Sequence, residues 1–222
     1  MSELLIVTID GGAATGKSTT ARALAERMNL LHVDTGSHYR AITLAALRAG
    51  ILPEEGEALN QFLATLALGT VVVGTSLVLT VSGAEVNAEE LRSDEVNRSV
   101  SQFAALKPLR ARLLYFQRSL AEEADRKRFR GLVVEGRDIG SVVFPNAAHR
   151  FFLEADPAMR EARREAQGEK DLIQERDLQD SGRATAPFLC PPGAVRIDTG
   201  NRNIEEVISL ICEQIDITPP IG

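Results

Sequence analysis

An apolar strand that runs directly into a glycine-rich turn is the feature that most constrains this chain. Leu4 to Ile9 form a nearly continuous apolar run, which is typical of a strand buried on both faces of a parallel sheet. The turn from Gly11 to Ser18 matches the pattern Gly-x-x-x-x-Gly-Lys-Ser/Thr. Apolar residues then recur at helical spacing, at Ala21, Leu24, Ala25 and Met28. The sequence therefore predicts a strand, a tight loop and a helix in direct succession.

This loop has the chemistry of a phosphate-binding site. Small residues allow backbone N–H groups to converge on phosphate oxygens, and the following helix adds the partial positive charge of its N-terminus. Lys17 is placed to reach the β- and γ-phosphates, and the Ser18 hydroxyl is placed to bind Mg²⁺. The candidate ATP-binding residues are Gly11, Gly12, Ala13, Ala14, Thr15, Gly16, Lys17, Ser18 and Thr19. The motif predicts ATP or GTP binding and leaves the phosphate acceptor open.

Strand and helix patterns alternate along much of the remaining chain. Helix starts are marked by Asp156-Pro157 and by Asn203, which has Glu206 three residues later. Such alternation implies right-handed crossovers and helices on both faces of a sheet. We predict an α/β fold of three layers, with a five-stranded parallel sheet, in a single domain over residues 1–222. After the first strand, the core strands are predicted at Leu30–Val33, Leu132–Val134, Arg150–Leu153 and Ala194–Ile197.

One region, residues 57–100, departs from this alternation. It contains two β-rich stretches, Thr70–Val73 and Leu77–Val81, joined by Gly74-Thr75-Ser76, with a third short stretch after Gly83-Ala84. We predict a small antiparallel β subdomain inserted between the second and third core strands.

Composition and charge exclude several classes of protein. The net charge of −6 argues against a general nucleic-acid binder, because such proteins attract the phosphate backbone with a basic field. No apolar run reaches the roughly 18 residues that span a bilayer, and Met1 to Asp10 do not resemble a signal peptide, so we expect a cytoplasmic protein without a membrane partner. The two cysteines and three histidines are too scattered to suggest a disulfide framework or a zinc site. A monomer is the default expectation.

Charged residues follow two other predicted strands. The segment Asp34 to Arg40 comes after the second strand, and Glu135 to Asp138 come after the third. Open α/β sheets bind ligands at the carboxyl ends of their strands, so Arg40 and Arg137 are placed to clamp a phosphate dianion. A kinase must hold a second substrate, whereas a nucleotide hydrolase only positions a water molecule. The second cationic set therefore favours a kinase.

Several further motifs follow the phosphate loop in a fixed order. They are Asp34-Thr35-Gly36 with Tyr39-Arg40, Ser101-Gln102 followed by Arg110, the run Glu135 to Pro145, and Arg176-Asp177 with Asp180, Arg183 and Ala186-Pro187. With these motifs, over nearly its whole length, the chain resembles the bacterial cytidylate kinases. The resemblance implies transfer of the ATP γ-phosphate to CMP or dCMP with Mg²⁺ as cofactor, an acceptor-binding insertion at 57–100 and a short helical lid at 157–187.

The same resemblance implies roles for individual residues. The catalytic residues would be Lys17, Arg137 and Arg183. CMP would be bound by Thr35, Gly36, Tyr39, Arg40, Ser101, Arg110, Arg137, Asp138, Arg176 and Asp180. Arg40 and Arg137 would hold the acceptor phosphate, while Ser101, Arg110 and Asp138 would read the base. The cytosine amino group is a donor that suits the Asp138 carboxylate, and the ring acceptors suit the Arg110 guanidinium.

The chain departs from the family pattern in three places. Gly12 to Thr15 fill the loop unusually, and Ser37-His38 stand where the family more often has a small and an apolar residue. The stretch from Arg164 to Glu175 is shorter than the usual lid, which predicts weaker closure and a lower turnover. Two other interpretations stay open: another small-molecule kinase, acting on a different nucleoside monophosphate or a small alcohol, and a regulatory nucleotide-binding module without catalysis.

Overall fold

A computed structural model describes residues 4–166, 177, 180–182, 186 and 188–217 of the chain. Its strands are β1 (Leu5–Gly11), β2 (Leu30–Asp34), β3 (Leu68–Val73), β4 (Ser76–Val81), β5 (Ala84–Glu85), β6 (Gly131–Gly136), β7 (His149–Glu154) and β8 (Val195–Asp198). Its helices are α1 (Lys17–Met28), α2 (Thr35–Arg48), α3 (Glu57–Thr65), α4 (Asp94–Phe103), α5 (Lys107–Arg126), α6 (Pro157–Ala166) and α7 (Ile204–Ile217). A 3₁₀ turn covers Glu90–Arg92 and a π-helical turn covers Ile139–Val143.

All of these strands belong to one sheet. Its order is β3-β4-β2-β6-β1-β7-β8, with β5 paired to β4. The neighbours β2, β6, β1, β7 and β8 are parallel, so the predicted five-stranded parallel core is confirmed. β1 lies at the centre, between β6 and β7, and its carboxyl end therefore opens between those of its two neighbours.

Helices cover both faces of this sheet, which confirms the three-layer α/β fold. On one face, α1 and α7 pack Leu24 and Ile211 against Val7 and Phe151 of the strands. On the other face, α5 packs Leu120 and Ala124 against strand residues that include Leu132. A third cluster joins α2, α3, α4 and α5 around Phe103. Central strands with apolar residues on both sides are buried as their continuous apolar runs predicted.

The antiparallel insertion differs from its prediction as a separate small sheet. β3 and β4 do form an antiparallel hairpin, but β4 also pairs in parallel with β2, where His32 is opposite Ser76 and Val33 is opposite Leu77. The His32 amide donates to the Thr75 carbonyl at 2.8 Å. An uncovered edge of β2 would leave its backbone groups without partners, and the hairpin satisfies them. The insertion therefore extends the main sheet.

The predicted helix starts are confirmed. The Asn203 amide donates to Glu206 Oε2 at 2.8 Å, and the Glu206 amide donates to Asn203 Oδ1 at 3.0 Å, which is a reciprocal capping box. Pro157 is the first residue of α6. None of the helices in the described part of the chain is long and apolar enough to cross a membrane.

Candidate active site

The phosphate loop links β1 to α1, and its backbone needs glycine at two positions. At Gly11, a side chain would place its Cβ 2.3 Å from the Leu153 carbonyl oxygen of β7. Gly16 has a φ of 90°, in the left-handed region, directly before the first helical residue. Ala14 is also left-handed, with a φ of 57°, which costs energy for a residue with a Cβ. The loop is thus held in a defined, partly strained conformation.

Side chains from within the loop and from β8 fix that conformation. The Thr15 hydroxyl donates to the Gly12 carbonyl at 3.0 Å, and the Thr199 hydroxyl, just beyond β8, donates to the Thr15 carbonyl at 2.9 Å. Lys17 Nζ donates to the Gly12 carbonyl at 2.6 Å. Burial and the nearby charge of Arg137 lower the pKa of Lys17 to about 8. The lysine is therefore folded over the loop, at the place where phosphates bind in such loops.

An anion already lies in this loop, and it is the carboxylate of Asp177. Asp177 Oδ1 accepts from the Ala13 amide at 3.3 Å and from Arg137 Nη1 at 2.5 Å, and Oδ2 accepts from Arg160. Burial acts to raise the pKa of Asp177, but Arg137 and Arg160 outweigh it, and the pKa lies below its ordinary value. The donors expected to bind phosphate hold this carboxylate instead. Asp177 and Arg160 are not among the residues predicted from the sequence to bind a substrate.

A chain of hydrogen bonds leads away from Ser18, at the start of α1. Its hydroxyl donates to Glu135 Oε2 at 2.7 Å. Glu135 Oε1 lies 2.8 Å from His32 Nε2, and His32 Nδ1 lies 3.2 Å from the Ser76 hydroxyl. Glu135 is the penultimate residue of β6, the strand beside β1. Its place at the carboxyl end of a strand next to the phosphate loop is the signal that could have identified it. Sequence reasoning included Glu135 in a motif but gave it no function.

Ser18 and Glu135 have suitable chemistry for a divalent metal. A hydroxyl and a carboxylate at hydrogen-bond distance supply the hard oxygen ligands that Mg²⁺ prefers, with nucleotide phosphates completing such sites. Within the described residues, no group of three or more His, Cys, Asp or Glu is arranged to hold a metal by itself. A metal here would therefore be held together with the nucleotide.

Asp10 is a second carboxylate that the sequence analysis did not identify. It is fully buried near the end of β1, and its oxygens accept from the amides of Ile139 and Gly140, each at 2.7 Å. Burial raises the pKa of Asp10 to about 6, although those two amides act in the opposite direction. Asp10 thereby ties β1 to the π-helical turn that follows Asp138.

Residues predicted for the acceptor phosphate face the loop across one cavity of about 670 Å³. Arg40, from α2, donates to the Leu91 carbonyl at 2.8 Å and to Asn97 Oδ1 at 2.7 Å. These two residues of the insertion hold the Arg40 side chain in place. Thr35 donates to the Glu135 carbonyl at 2.7 Å and fixes the start of α2 against β6. The cavity is lined by loop residues that include Lys17 and Ser18, by Gly36 and Arg40 of α2, by Glu135, Gly136 and Arg137, and by Arg92 and Arg164. The structure thus brings the two predicted cationic sets together.

The three residues predicted to read a base lie on α4, α5 and the end of β6. Arg110 and Asp138 form a buried ion pair, and Arg110 Nη1 also donates to the Ala104 carbonyl at 3.1 Å. The Arg110 guanidinium lies 5.5 Å from the ring centre of Tyr39. Ser101 is buried on α4, near the Ala104 carbonyl that Arg110 contacts. Arg110 therefore contacts both Asp138 and Tyr39, although none of these three residues, nor Ser101, lines the cavity.

Two described residues after α6, Asp180 and Phe188, contact Arg137. Its Nε lies 3.2 Å from Asp180 Oδ2, and its guanidinium is 4.9 Å from the ring centre of Phe188. Arg163 of α6 donates to the Thr199 carbonyl at 2.6 Å, beside the phosphate loop. Arg176 and Arg183, predicted for the ribose and for catalysis, lie outside the described residues. Thr19 follows Ser18 in the first turn of α1 and is exposed.

His38, one of the departures noted in the sequence, is fully buried on α2. Its ring meets Phe116 edge-on, with centroids 5.7 Å apart. Neither ring nitrogen has a hydrogen-bond partner among the described residues. Burial lowers the pKa of His38 to about 4. The ring is therefore neutral at ordinary pH and packs as an apolar group.

Comparisons with known proteins agree with this geometry. Residues 7–217 match the family model described as cytidylate kinase. The chain is 38% identical to a cytidylate kinase of Chlorobaculum tepidum, over 96% of this chain and 93% of that one. It is also 38% identical to a cytidylate kinase of Desulforamulus reducens, over 97% and 99% of the two chains. Among solved structures, a sugar kinase from Janibacter sp. shares the fold, with a TM-score of 0.50, 14% identity and coverage of 98% and 97%.

The family model spans nearly all of the described chain, and the relatives are covered almost end to end. The phosphate loop, the two cationic sets and the buried Arg110–Asp138 pair occur in that same span. This chain belongs to the cytidylate kinase family.

Proposed function

We propose that this protein transfers the γ-phosphoryl group of ATP to CMP or dCMP, giving CDP or dCDP. The observation that carries the proposal is a single cavity in which the phosphate loop faces Arg40 and Arg137. Two phosphorylated substrates need two cationic sets separated by a short distance, and phosphoryl transfer depends mainly on holding them in line.

In the donor half, the loop amides and Lys17 bind the ATP phosphates. Gly11 to Thr19 supply the backbone of this half, and Lys17 stabilises the charge that develops on the transferred group. Asp177 occupies part of this place in the structure, so it must leave the loop before the phosphates enter. Arg137 and Arg160, which hold Asp177, then become available to the phosphates.

The family's phosphoryl transfer needs a divalent metal, and we propose Mg²⁺. The Ser18 hydroxyl would hold it together with the nucleotide, and Glu135 orients that hydroxyl through the hydrogen bond of 2.7 Å. When bound, the ion offsets the negative charge of the ATP phosphates. The protein's own part is to keep Ser18 and Glu135 in place at the mouth of the loop.

In the acceptor half, Arg40 and Arg137 hold the CMP phosphate beside the donor phosphates. Arg40 is fixed by Leu91 and Asn97 of the insertion, which gives residues 57–100 their proposed role in acceptor binding. Arg176 and Asp180 are proposed for the acceptor ribose, and Arg183 for the transferred phosphoryl group. All three belong to the lid proposed at 157–187. Thr35 and Gly36, at the start of α2, are proposed for the same half, where Gly36 lines the cavity.

Arg110 and Asp138, with Ser101 and Tyr39 beside them, are proposed to read the base. Arg110 and Asp138 are already in contact and buried, so their charges are paired before a base arrives. Cytosine offers an amino group to Asp138 and acceptors to Arg110, whereas uracil presents a carbonyl to the carboxylate. A lost hydrogen bond to a buried charge costs on the order of 2 kcal/mol, which is enough to favour CMP over UMP.

No general base is assigned, because the acceptor is a phosphate anion that attacks without losing a proton from carbon or a hydroxyl. We propose that the chain acts in the cytoplasm, where ATP and nucleoside monophosphates are found, and as a monomer. Neither proposal depends on the geometry of the site.

An assay of ADP release with ATP and a panel of acceptors tests the proposal. The panel contains CMP, dCMP, UMP, AMP, GMP, shikimate and gluconate, each at the same concentration. CMP and dCMP should give the highest kcat/KM. Activity on another acceptor, with none above background on CMP and dCMP, would overturn the proposal in favour of another small-molecule kinase. ATP binding without turnover on any acceptor would favour a regulatory module.

A further inference from the structure

The hydrogen-bonded chain that begins at Ser18 extends beyond the residues assigned above. Glu135 is 2% exposed and His32 is 3% exposed, so their contact at 2.8 Å is screened from solvent. Beyond His32 lies Ser76, at 3.2 Å, on β4 of the inserted hairpin. His32 and Ser76 are also opposite each other in the register of β2 and β4. Ser76 of the hairpin is thus connected to Ser18 of the phosphate loop through three hydrogen bonds.

The direction of two hydrogen bonds in this chain follows from the chemistry of a carboxylate, whose oxygens accept. The Nε2–H of His32 donates to Glu135 Oε1, and the Ser18 hydroxyl donates to Glu135 Oε2. His32 Nδ1 shares a hydrogen bond with the Ser76 hydroxyl. Both oxygens of Glu135 are then bound, and rotation of its side chain would break at least one buried hydrogen bond.

Lys17 is a competing partner for the Glu135 carboxylate. The charge of Glu135 acts on Lys17, and it raises the lysine pKa against the effect of burial. Without the His32 donor, Oε1 would be buried and unpaired, and the carboxylate would rotate toward the ammonium group of Lys17. Such a rotation withdraws Glu135 from Ser18. His32 is therefore placed to keep the Glu135 carboxylate bonded to Ser18 rather than to Lys17.

We propose that His32 is a positioning residue for the metal site: it holds Glu135 so that this carboxylate orients the Ser18 hydroxyl toward the metal. Ser76 in turn fixes the orientation of the His32 ring. The inference rests on the Mg²⁺ site of the proposed function. Residues that orient metal ligands in this way typically change metal affinity by about 10- to 100-fold when they are substituted.

The test compares metal binding with metal-free nucleotide binding, with Mn²⁺ as the probe. Electron paramagnetic resonance of free Mn²⁺ gives its dissociation constant from the protein–ADP complex, and calorimetry with EDTA gives the affinity for bare ADP. His32→Leu should weaken Mn²⁺ binding about tenfold and leave bare ADP affinity within about twofold. His32→Gln keeps an N–H that reaches Glu135 and should stay within about threefold of the wild type for both. In turnover, the apparent KM for Mg²⁺ should rise while kcat at saturating metal changes little.

His149→Leu is the matched control, because His149 is also a buried strand histidine but lies on β7. It should leave Mn²⁺ binding unchanged. If His32→Leu does not yield folded protein, His32→Asn replaces it, since its shorter amide reaches Ser76 but not Glu135. Equal weakening of Mn²⁺ and bare ADP, or no weakening of either, overturns the role of His32. Failure of wild-type protein–ADP to bind Mn²⁺ overturns the metal site itself, which separates the two proposals.

Discussion

The two halves of the site are built in different ways. The donor half is largely main chain: the loop amides, the N-terminus of α1 and one lysine, held in shape by Thr15 and Thr199. The acceptor half is made of side chains: Arg40 of α2 lines the cavity, whereas Arg110 of α5 and Asp138, just after β6, form a buried pair that does not line it. A main-chain site keeps its form without a ligand, whereas a side-chain site needs internal partners to keep its charges paired.

This contrast has a consequence for the protein without substrates. In the donor half, the carboxylate of Asp177 lies where a nucleotide phosphate is proposed to bind. In the acceptor half Arg110 and Asp138 pair with each other. Substitutions in the two halves should therefore act on different quantities: turnover and nucleotide affinity in the first, base preference and stability in the second.

Substitution of Lys17 should give the largest loss of activity and should affect only the donor half of the site. Lys17→Ala should lower kcat by at least about a hundredfold, because charge stabilisation is the main contribution to phosphoryl transfer. The ratio of kcat/KM for CMP over UMP should stay nearly unchanged. Steady-state kinetics measure both, with the exposed Lys127→Ala as the control. A residual kcat above a tenth of the wild-type value would remove Lys17 from catalysis.

Neutralising Asp138 should affect the acceptor half in the complementary way. Asp138→Asn should narrow the preference for CMP over UMP by roughly 30-fold, equivalent to about 2 kcal/mol, because the amide can donate to the uracil carbonyl. Competition between the two nucleotides at equal concentration measures the preference. The exposed Asp125→Asn serves as the control. An unchanged preference would exclude Asp138 from base reading, and a parallel thermal unfolding curve separates this from the loss of the Arg110 ion pair.

His38 provides a stability test within the acceptor half. Its pKa in the folded protein, about 4, lies below the ordinary value of 6.5, so the unfolded chain binds the proton more readily. Its contribution is fully favourable above pH 6.5 and is lost as the pH falls toward 4. The free energy of unfolding should drop by about 2 kcal/mol from pH 8 to pH 5 through this group.

Replacing His38 should remove that pH dependence. Denaturant unfolding of His38→Leu and the wild type at both pH values gives the difference directly. His149→Leu is the comparison, because burial and Arg130 also lower the pKa of His149. If the stability of His38→Leu fell with pH as steeply as that of the wild type, His38 would not be the responsible group.

Neutralising Asp177 should give the smallest change and tests whether this carboxylate competes with nucleotide phosphates in the donor half. Asp177→Asn keeps the shape of the side chain but holds Arg137 and Arg160 less strongly, because charge-assisted hydrogen bonds are the stronger kind. The dissociation constant for ADP should fall about fivefold, because the phosphates then displace a more weakly held side chain from the loop. Calorimetry measures it, with Asp156→Asn, at the exposed start of α6, as the control. A higher dissociation constant would mean that Asp177 supports nucleotide binding.

What could be predicted from the sequence follows the same division. The loop from Gly11 to Ser18 and the five parallel strands come from local patterns, so they were predicted correctly. Arg110 and Asp138 were assigned to one site only through the resemblance to a family, and their ion pair was not predicted, because they are 28 positions apart in sequence. Long-range side-chain meetings of this kind have no local signal.

Other features depend on which strands become neighbours. The link from Ser18 through Glu135 and His32 to Ser76 requires β6 beside β2 and β2 beside β4, and the pairing of β4 with β2 was not predicted. Asp177 in the loop likewise depends on how the chain returns after α6. The predictions for Arg176, Arg183 and the effect of the short lid fall wholly or largely outside the described residues and stay predictions.

Direct transfer between the two halves is the central claim, and labelled ATP tests it most directly. The protein is incubated with ATP carrying ³²P at the γ-position, Mg²⁺ and equal concentrations of CMP and UMP, and the products are separated by chromatography. We predict that the label appears in CDP well ahead of UDP, with little inorganic phosphate. Label that appears only in inorganic phosphate, or in UDP as fast as in CDP, would contradict a cavity built to pass a phosphoryl group from ATP to a cytidine nucleotide.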